Sequence, residues 1–246
     1  TRCQLDSASA NPSRVPAGVL LAVKIHFLGA NRQVTGSRYC LEAEGRKVLI
    51  DCGLFQERAY KGRNWDHFPV AADQLDAVLL THVHIDHCGL LPRLVAAGFK
   101  GPIYMTHPSE DLLGMMLRDT ARIQMEDAAY KKRRHRKESR TPPRPVQPLY
   151  TEEDVEATLP LARGVDYGTM LKLSDRLSVT FHDAGHILGS SMLEIEVRRQ
   201  AEKRTIIFSG DIGLEDKPIV RDPTFFSQAD YVVMESTYGD RNHAAS

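Results

Sequence analysis

Thr81-His82-Val83-His84-Ile85-Asp86-His87 follows directly on the apolar run Ala77-Val78-Leu79-Leu80. The apolar run reads as a buried strand, so the cluster falls where a strand ends and a turn begins. Three imidazoles and a carboxylate stand within six residues. These are the nitrogen and oxygen donors that zinc prefers. Core packing requires no such groups side by side. The cluster therefore predicts a metal ion and further ligands elsewhere in the chain.

Three candidates follow the same pattern. Asp51 closes Val48-Leu49-Ile50-Asp51, and Cys52-Gly53 turns the chain. His186 lies in Asp183-Ala184-Gly185-His186-Ile187-Leu188-Gly189-Ser190, after Leu177-Ser178-Val179-Thr180-Phe181. Asp211 lies in Ser209-Gly210-Asp211-Ile212-Gly213, after Ile206-Ile207-Phe208. In layered α/β proteins, sites form where strands end and loops begin, so ligands remote in sequence can share one sheet edge.

In its order of motifs the chain resembles the metallo-β-lactamase superfamily. The resemblance implies an α/β fold, an αββα sandwich with metals at one edge of the two sheets. Residue by residue, it implies that His82, His84 and His186 hold one zinc. Asp86 and His87 would hold a second, Asp211 would bridge both, and Asp51 would support the site. The implied reaction is metal-assisted phosphodiester hydrolysis, in which the metals activate water and balance charge on the phosphoryl group.

Near its end the chain reads Val232-Val233-Met234-Glu235-Ser236-Thr237-Tyr238-Gly239-Asp240-Arg241. An acidic residue, then Ser and Thr-Tyr after a strand, resembles the first motif of the β-CASP branch, whose members include nucleases acting on RNA. Gly29-Ala30 and Val34-Thr35-Gly36-Ser37 are similar to bacterial members. The resemblance runs from about Val23 to His243. It implies that RNA is the substrate, without excluding DNA, and that Glu235 orients a histidine beside the metals. Members of that branch continue into an inserted β-CASP domain and then return to finish the sandwich. The 246 residues are thus expected to be an incomplete sandwich lacking the β-CASP insertion and the C-terminal return. The second zinc would be incompletely liganded, and activity of the chain alone weak or absent. Two other readings explain less. A hydrolase of small esters or thioesters accounts for the histidines but not for the Glu235 motif. A non-catalytic fragment would bind metal or RNA without turnover.

Composition limits the rest. Lys and Arg number 32, as do Asp and Glu, so overall charge gives no support to nucleic-acid binding and any such case must be local. At 42% hydrophobic residues, a sizeable core is available. Cys3, Cys40, Cys52 and Cys88 show no paired spacing, which reads as a reduced, cytoplasmic protein; Cys52 and Cys88 read as small buried residues beside turns. No run approaches the roughly 20 apolar residues of a membrane span, so no membrane partner is expected.

Residues 1–21, rich in Ser, Ala, Asn and Pro, read as a flexible tail, and 22–246 as the front part of the sandwich domain. Val23, Ile25 and Phe27 read as a half-buried strand, and Glu44-Gly45-Arg46 as a hairpin turn. A helix is expected from Ser109, as its cap, to about Lys137, with Leu112, Met116 and Ile123 near one face and its methionines in the core. A second helix is expected after Thr151. The segment Lys131-Lys132-Arg133-Arg134-His135-Arg136-Lys137, with Arg140 and Arg144, is the one dense charge run. Two readings stand for it: an RNA path lined by Lys131, Lys132, Arg133, Arg134, Arg136 and Lys137, or a solvated helix end whose cations suit the dipole.

Overall fold

The computed structural model describes residues 23–142, 145–199, 202–237 and 239. The expected flexible tail, Cys3, Arg144, Tyr238, Asp240, Arg241 and His243 lie outside the described residues.

Two sheets carry the chain. The first has the order β1 (Lys24–Phe27), β2 (Tyr39–Ala43), β3 (Arg46–Ile50), β4 (Ala77–Leu79), β5 (Ile103–Thr106) and β6 (Ala162–Val165). Strands β3 to β6 run parallel. The second has the order β11 (Tyr231–Val233), β10 (Glu202–Phe208), β9 (Ser191–Arg199), β8 (Leu177–Asp183) and β7 (Met170–Lys172). The β2–β3 hairpin turns at Glu44 and Gly45, with φ of 48° and 76°, the left-handed pair that a two-residue turn matched to strand twist requires.

The sheets pack face to face through their period-2 apolar residues. Leu41, Val48, Ile50 and Leu79 from one sheet meet Val179, Phe181, Leu193, Ile195, Ile206 and Phe208 from the other. The opposite face of the first sheet carries the helices: α1 (Ile85–Cys88), α2 (Leu91–Ala96), α3 (His107–Lys137) and α4 (Glu152–Thr158). Their core joins Val78, Ile103, Leu94, Leu113, Leu117, Tyr150 and Val155. No helix covers the far side of the second sheet among the described residues. There the loop after Gly213 lies across it: Thr224 N–H donates to Asp183 O at 2.9 Å, and the Phe226 ring meets His182 edge-on. The layers are thus helices, sheet, sheet.

Helix α3 departs from expectation in start and phase. Its cap is Thr106, whose hydroxyl accepts from Ser109 N–H, so the helix begins two residues before Ser109. Leu113, Leu117, Ala121 and Ala128 form its buried stripe, while Leu112 and Met116 only flank it. Ile123, Met115 and Met125 face solvent, so of the helix's methionines only Met116 packs against the core. Helix α4 starts as expected, with a reciprocal capping box between Thr151 and Asp154. Phe27, expected half-buried, is exposed at the end of edge strand β1. Cys40, Cys52 and Cys88 are free and buried. Among the described residues no helix is long and apolar enough to cross a membrane.

Candidate metal centre

All four motifs meet at one edge of the two sheets. Strands β3 and β4 end there in the first sheet. Strands β8 and β10, both antiparallel to β9, end there in the second. Asp51 follows β3, His82 and His84 follow β4, Asp86 and His87 open α1, His186 follows β8 and Asp211 follows β10.

His82, His84, His186 and Asp211 each offer one donor atom, and these four atoms lie within 4.8 Å of one another. His82 Nε2 is 3.0 Å from His84 Nδ1, and His186 Nε2 is 3.1 Å from the same atom. Asp211 Oδ2 lies 3.7 Å from His82 Nε2 and 3.6 Å from His186 Nε2. A tetrahedral ion with bonds of about 2.0–2.1 Å holds its donors about 3.3 Å apart, so this donor set fits zinc in kind and spacing. A second group adjoins it. His87 Nε2 lies 3.2 Å from Asp211 Oδ1 and 3.9 Å from Asp86 Oδ2. Asp211 therefore turns one oxygen to each group.

Asp51 sits underneath, buried and in the left-handed region at φ 56°. A short polar side chain tolerates that conformation by bonding locally. Its carboxylate accepts from Thr81 N–H at 2.9 Å, Thr81 Oγ1 at 3.0 Å, Ser37 Oγ at 3.1 Å and His87 Nδ1 at 2.7 Å. Two oxygens have about four lone-pair positions, so this buried carboxylate is fully bonded. The bond from Nδ1 leaves His87 Nε2 facing Asp211. Asp51 thus meets the site through the imidazole of His87.

The turn at Cys52-Gly53 is fixed by close approach. Cys52 N–H donates to His87 O at 2.7 Å, and a Cβ on Gly53 would lie 1.6 Å from Asp86 O. Only glycine lets β3 pass so near the helix that carries Asp86 and His87. Gly189, at φ 85°, does the same for the His186 loop: its carbonyl accepts from Thr106 Oγ1 at 2.7 Å and Ser109 Oγ at 2.8 Å. Ser190 Oγ accepts from His186 N–H at 3.0 Å and holds the loop closed.

Electrostatics follow from this packing. Burial pushes His82 well below the usual histidine range, and the neighbouring imidazoles push the same way. Burial and His186 also lower His84. Burial acts to lower His87 as well, but Asp51 and Asp211 outweigh it and push it up to about 10. Burial acts to raise Asp211, yet His87, His186 and His84 hold it below the usual carboxylate range. Two neutral imidazoles and an ionised carboxylate are the forms that bind a cation.

Glu235 lies beside the Asp211 loop. Its Oε1 accepts from Ile212 N–H at 2.8 Å, and its own N–H donates to Ser209 Oγ at 3.1 Å. It braces the loop that carries Asp211, and among the described residues it meets no histidine. With Tyr39, Phe208, Met234 and Thr237 it lines a cleft of about 330 Å³ that opens over Asp51, His87 and Asp211. Lys131 to Lys137 lie at the far end of α3, away from this edge.

The residues without a sequence-derived role are the hydroxyls. Thr81 bonds Asp51 twice, sits 3.1 Å from His82 Nδ1, and through its carbonyl accepts from Ser191 N–H at 2.8 Å. A small hydroxyl directly before a His-x-His run is the signal that marks it.

The chain matches the metallo-beta-lactamase superfamily over residues 33–238. It belongs to that superfamily, and its fold is the mixed α/β fold of that family. It is 40% identical over 221 residues to "Ribonuclease TTHA0252" of Thermus thermophilus, covering 90% of this chain and 45% of that protein. It is 30% identical over 221 residues to "Transcription termination factor FttA" of Methanocaldococcus jannaschii, covering 88% of this chain and 32% of that protein. The chain thus spans less than half the length of either relative. Among solved structures, the B3 metallo-beta-lactamase BJP-1 of Bradyrhizobium japonicum aligns with a TM-score of 0.44 at 18% identity, over 76% of this chain and 60% of that one.

Proposed function

We propose that this chain carries the metal-binding part of a zinc-dependent phosphodiester hydrolase of the β-CASP branch, acting on RNA. The observation that carries the reading is the placement of Asp211, with one carboxylate oxygen toward His82 and His186 and the other toward His87. His82, His84, His186 and Asp211 would hold one zinc, and Asp86, His87 and Asp211 a second. When bound, zinc supplies Lewis acidity and lowers the pKa of water to near neutrality.

The chain's own residues do the rest. Asp51 holds the Nδ1 proton of His87, so that Nε2 points at Asp211, as carboxylate–histidine pairs do in metal sites. Thr81 does likewise beside His82 Nδ1. Glu235 and Ser209 hold the Asp211 loop against the cleft. The cleft over this edge is where a phosphodiester would lie, and the two relatives, one named a ribonuclease and the other a transcription termination factor, favour RNA over small esters. Both relatives are more than twice as long as the matched region. The proposal includes weak or no turnover by the 246 residues alone.

The test pairs metal analysis with cleavage. Zinc content of the purified chain is measured, and 5′-labelled RNA and a thioester are offered to it and to His84→Ala. Bound zinc with RNA cleavage, however slow, that His84→Ala abolishes supports the reading. No bound zinc, or thioester hydrolysis without RNA cleavage, overturns it.

A further inference from the structure

The last buried residue of α3 is Ala128, yet the helix continues to Lys137. His135 is half-buried; the other residues from 129 to 137 are exposed. The cations in these turns divide into two sets. Lys131 pairs with Asp127, and Arg134 shares Glu138 with Arg140. Lys132, Arg133, Arg136 and Lys137 have no ion-pair partner among the described residues. At about 100° per residue these four fall in one stripe about 140° wide, its centre turned about 125° from the buried stripe. The paired Lys131 and Arg134 lie on the other flank. The nearest acid on the cationic face is Glu126, seven residues or about 10 Å before Arg133.

The arrangement has a cost that the helix itself does not offset. Lys132 with Arg136, and Arg133 with Lys137, are like charges at i,i+4, each unfavourable by about 0.2–0.5 kcal/mol. The helix dipole favours cations only within the last turn. It therefore accounts for Arg136 and Lys137, but not for Lys132 and Arg133. A polyanion laid along the stripe accounts for all four.

We propose that Lys132, Arg133, Arg136 and Lys137 form a docking stripe for the phosphate backbone of single-stranded RNA, remote from the metal edge. The proposal rests on the RNA reading above and adds a length rule to it. Helix α3 begins at His107, beside the Gly189 turn of the His186 loop. The stripe lies about 40 Å further along its axis. At about 3.4 Å per nucleotide, a fully stacked strand takes about twelve nucleotides to reach from one to the other. Fully stacked RNAs shorter than this occupy the cleft or the stripe, not both.

The experiment is equilibrium binding by fluorescence anisotropy, using the 246-residue chain and labelled single-stranded RNAs of 8 and 24 nucleotides over a salt series. The variants are K132Q/R133Q/R136Q/K137Q and, for the paired flank, K131Q/R134Q. Circular dichroism confirms that each keeps its helix. The stripe variant is expected to bind the 24-mer at least tenfold more weakly, with a salt slope shallower by about 3, since each phosphate contact contributes about 0.7. The flank variant is expected to change binding less than threefold, and the 8-mer to lose less than the 24-mer. Equal losses for both variants, no loss in the stripe variant, or a stripe that binds anionic phospholipid vesicles but not RNA would overturn the proposal. Stripe-dependent binding that persists in His84→Ala, with no zinc bound by the parent chain, would leave the stripe standing while the hydrolase reading fell.

Discussion

Asp51 Oδ2 lies 2.7 Å from His87 Nδ1, beneath the edge where the motif residues meet. This pair is a buried carboxylate holding a buried imidazole, and three further donors from Thr81 and Ser37 complete the carboxylate. Removing it would leave His87, the Thr81 N–H and two hydroxyls unpaired at once. Asp51→Ala is expected to destabilise the fold by about 3–5 kcal/mol, the range for one partner lost from a buried ion pair. Urea unfolding checks this; a loss under 1 kcal/mol would mean that the network is dispensable.

The ligand set makes a separate claim. His84 Nδ1 is the atom common to the two shortest contacts among the donors. His84→Ala is expected to weaken zinc binding by more than 100-fold, beyond the roughly 10–100-fold cost of losing a supporting residue. Zinc content by mass spectrometry after dialysis reads this directly, and an unchanged content removes His84 from the set.

The two donor groups are unequal. Four side chains surround the first, and among the described residues only Asp86, His87 and the shared Asp211 adjoin the second. A zinc titration followed by calorimetry is expected to show a tight ion and a weaker one, with Asp86→Ala abolishing the weaker alone. Two ions of equal affinity would contradict the assignment.

Gly53 offers a test that touches no donor atom. Gly53→Ala sets a methyl against the Asp86 carbonyl, where backbone must shift to admit it. We expect about 3 kcal/mol of lost stability, at the upper end for a single substitution, together with weakened zinc binding. Normal stability in this variant would show that the turn is more forgiving than its spacing.

Helix α3 supplies a stability contrast. Leu113→Ala is expected to cost about 2–5 kcal/mol as a core truncation. Met115→Ala, two residues on but exposed, is expected to fall within about 0.5 kcal/mol of the parent. Comparable losses at the two positions would refute the observed phase.

That contrast also shows where sequence reasoning stopped. The edge motifs were legible because each ligand follows a run of apolar residues and precedes a glycine, and strand ends gather at one edge. The phase of α3 was not. Half of its buried stripe is Ala121 and Ala128, whose apolar signal is weak, while Met115 and Ile123 signal strongly from the solvent side. Ser109 looked like a cap because hydroxyls suit that position; Thr106 took it, and Ser109 turned its hydroxyl to Gly189 O instead. Glu235 shows only its type in the sequence; its partner is a backbone N–H contributed by a distant turn, which no local pattern encodes. Asp51 and Thr81 bond across 30 residues for the same reason.

The two hydroxyls on Gly189 O have a mechanical consequence. Thr106 and Ser109 clamp the first turn of α3 to the loop of His186. Swinging the helix would break two hydrogen bonds, each worth about 1 kcal/mol, before it could leave the loop behind. Loop and helix therefore share one degree of freedom. A pull on the far tip of a 31-residue rod acts through a long lever on the backbone that aims one imidazole, so tension on that rod and the bite of the donor ring are quantities that vary together.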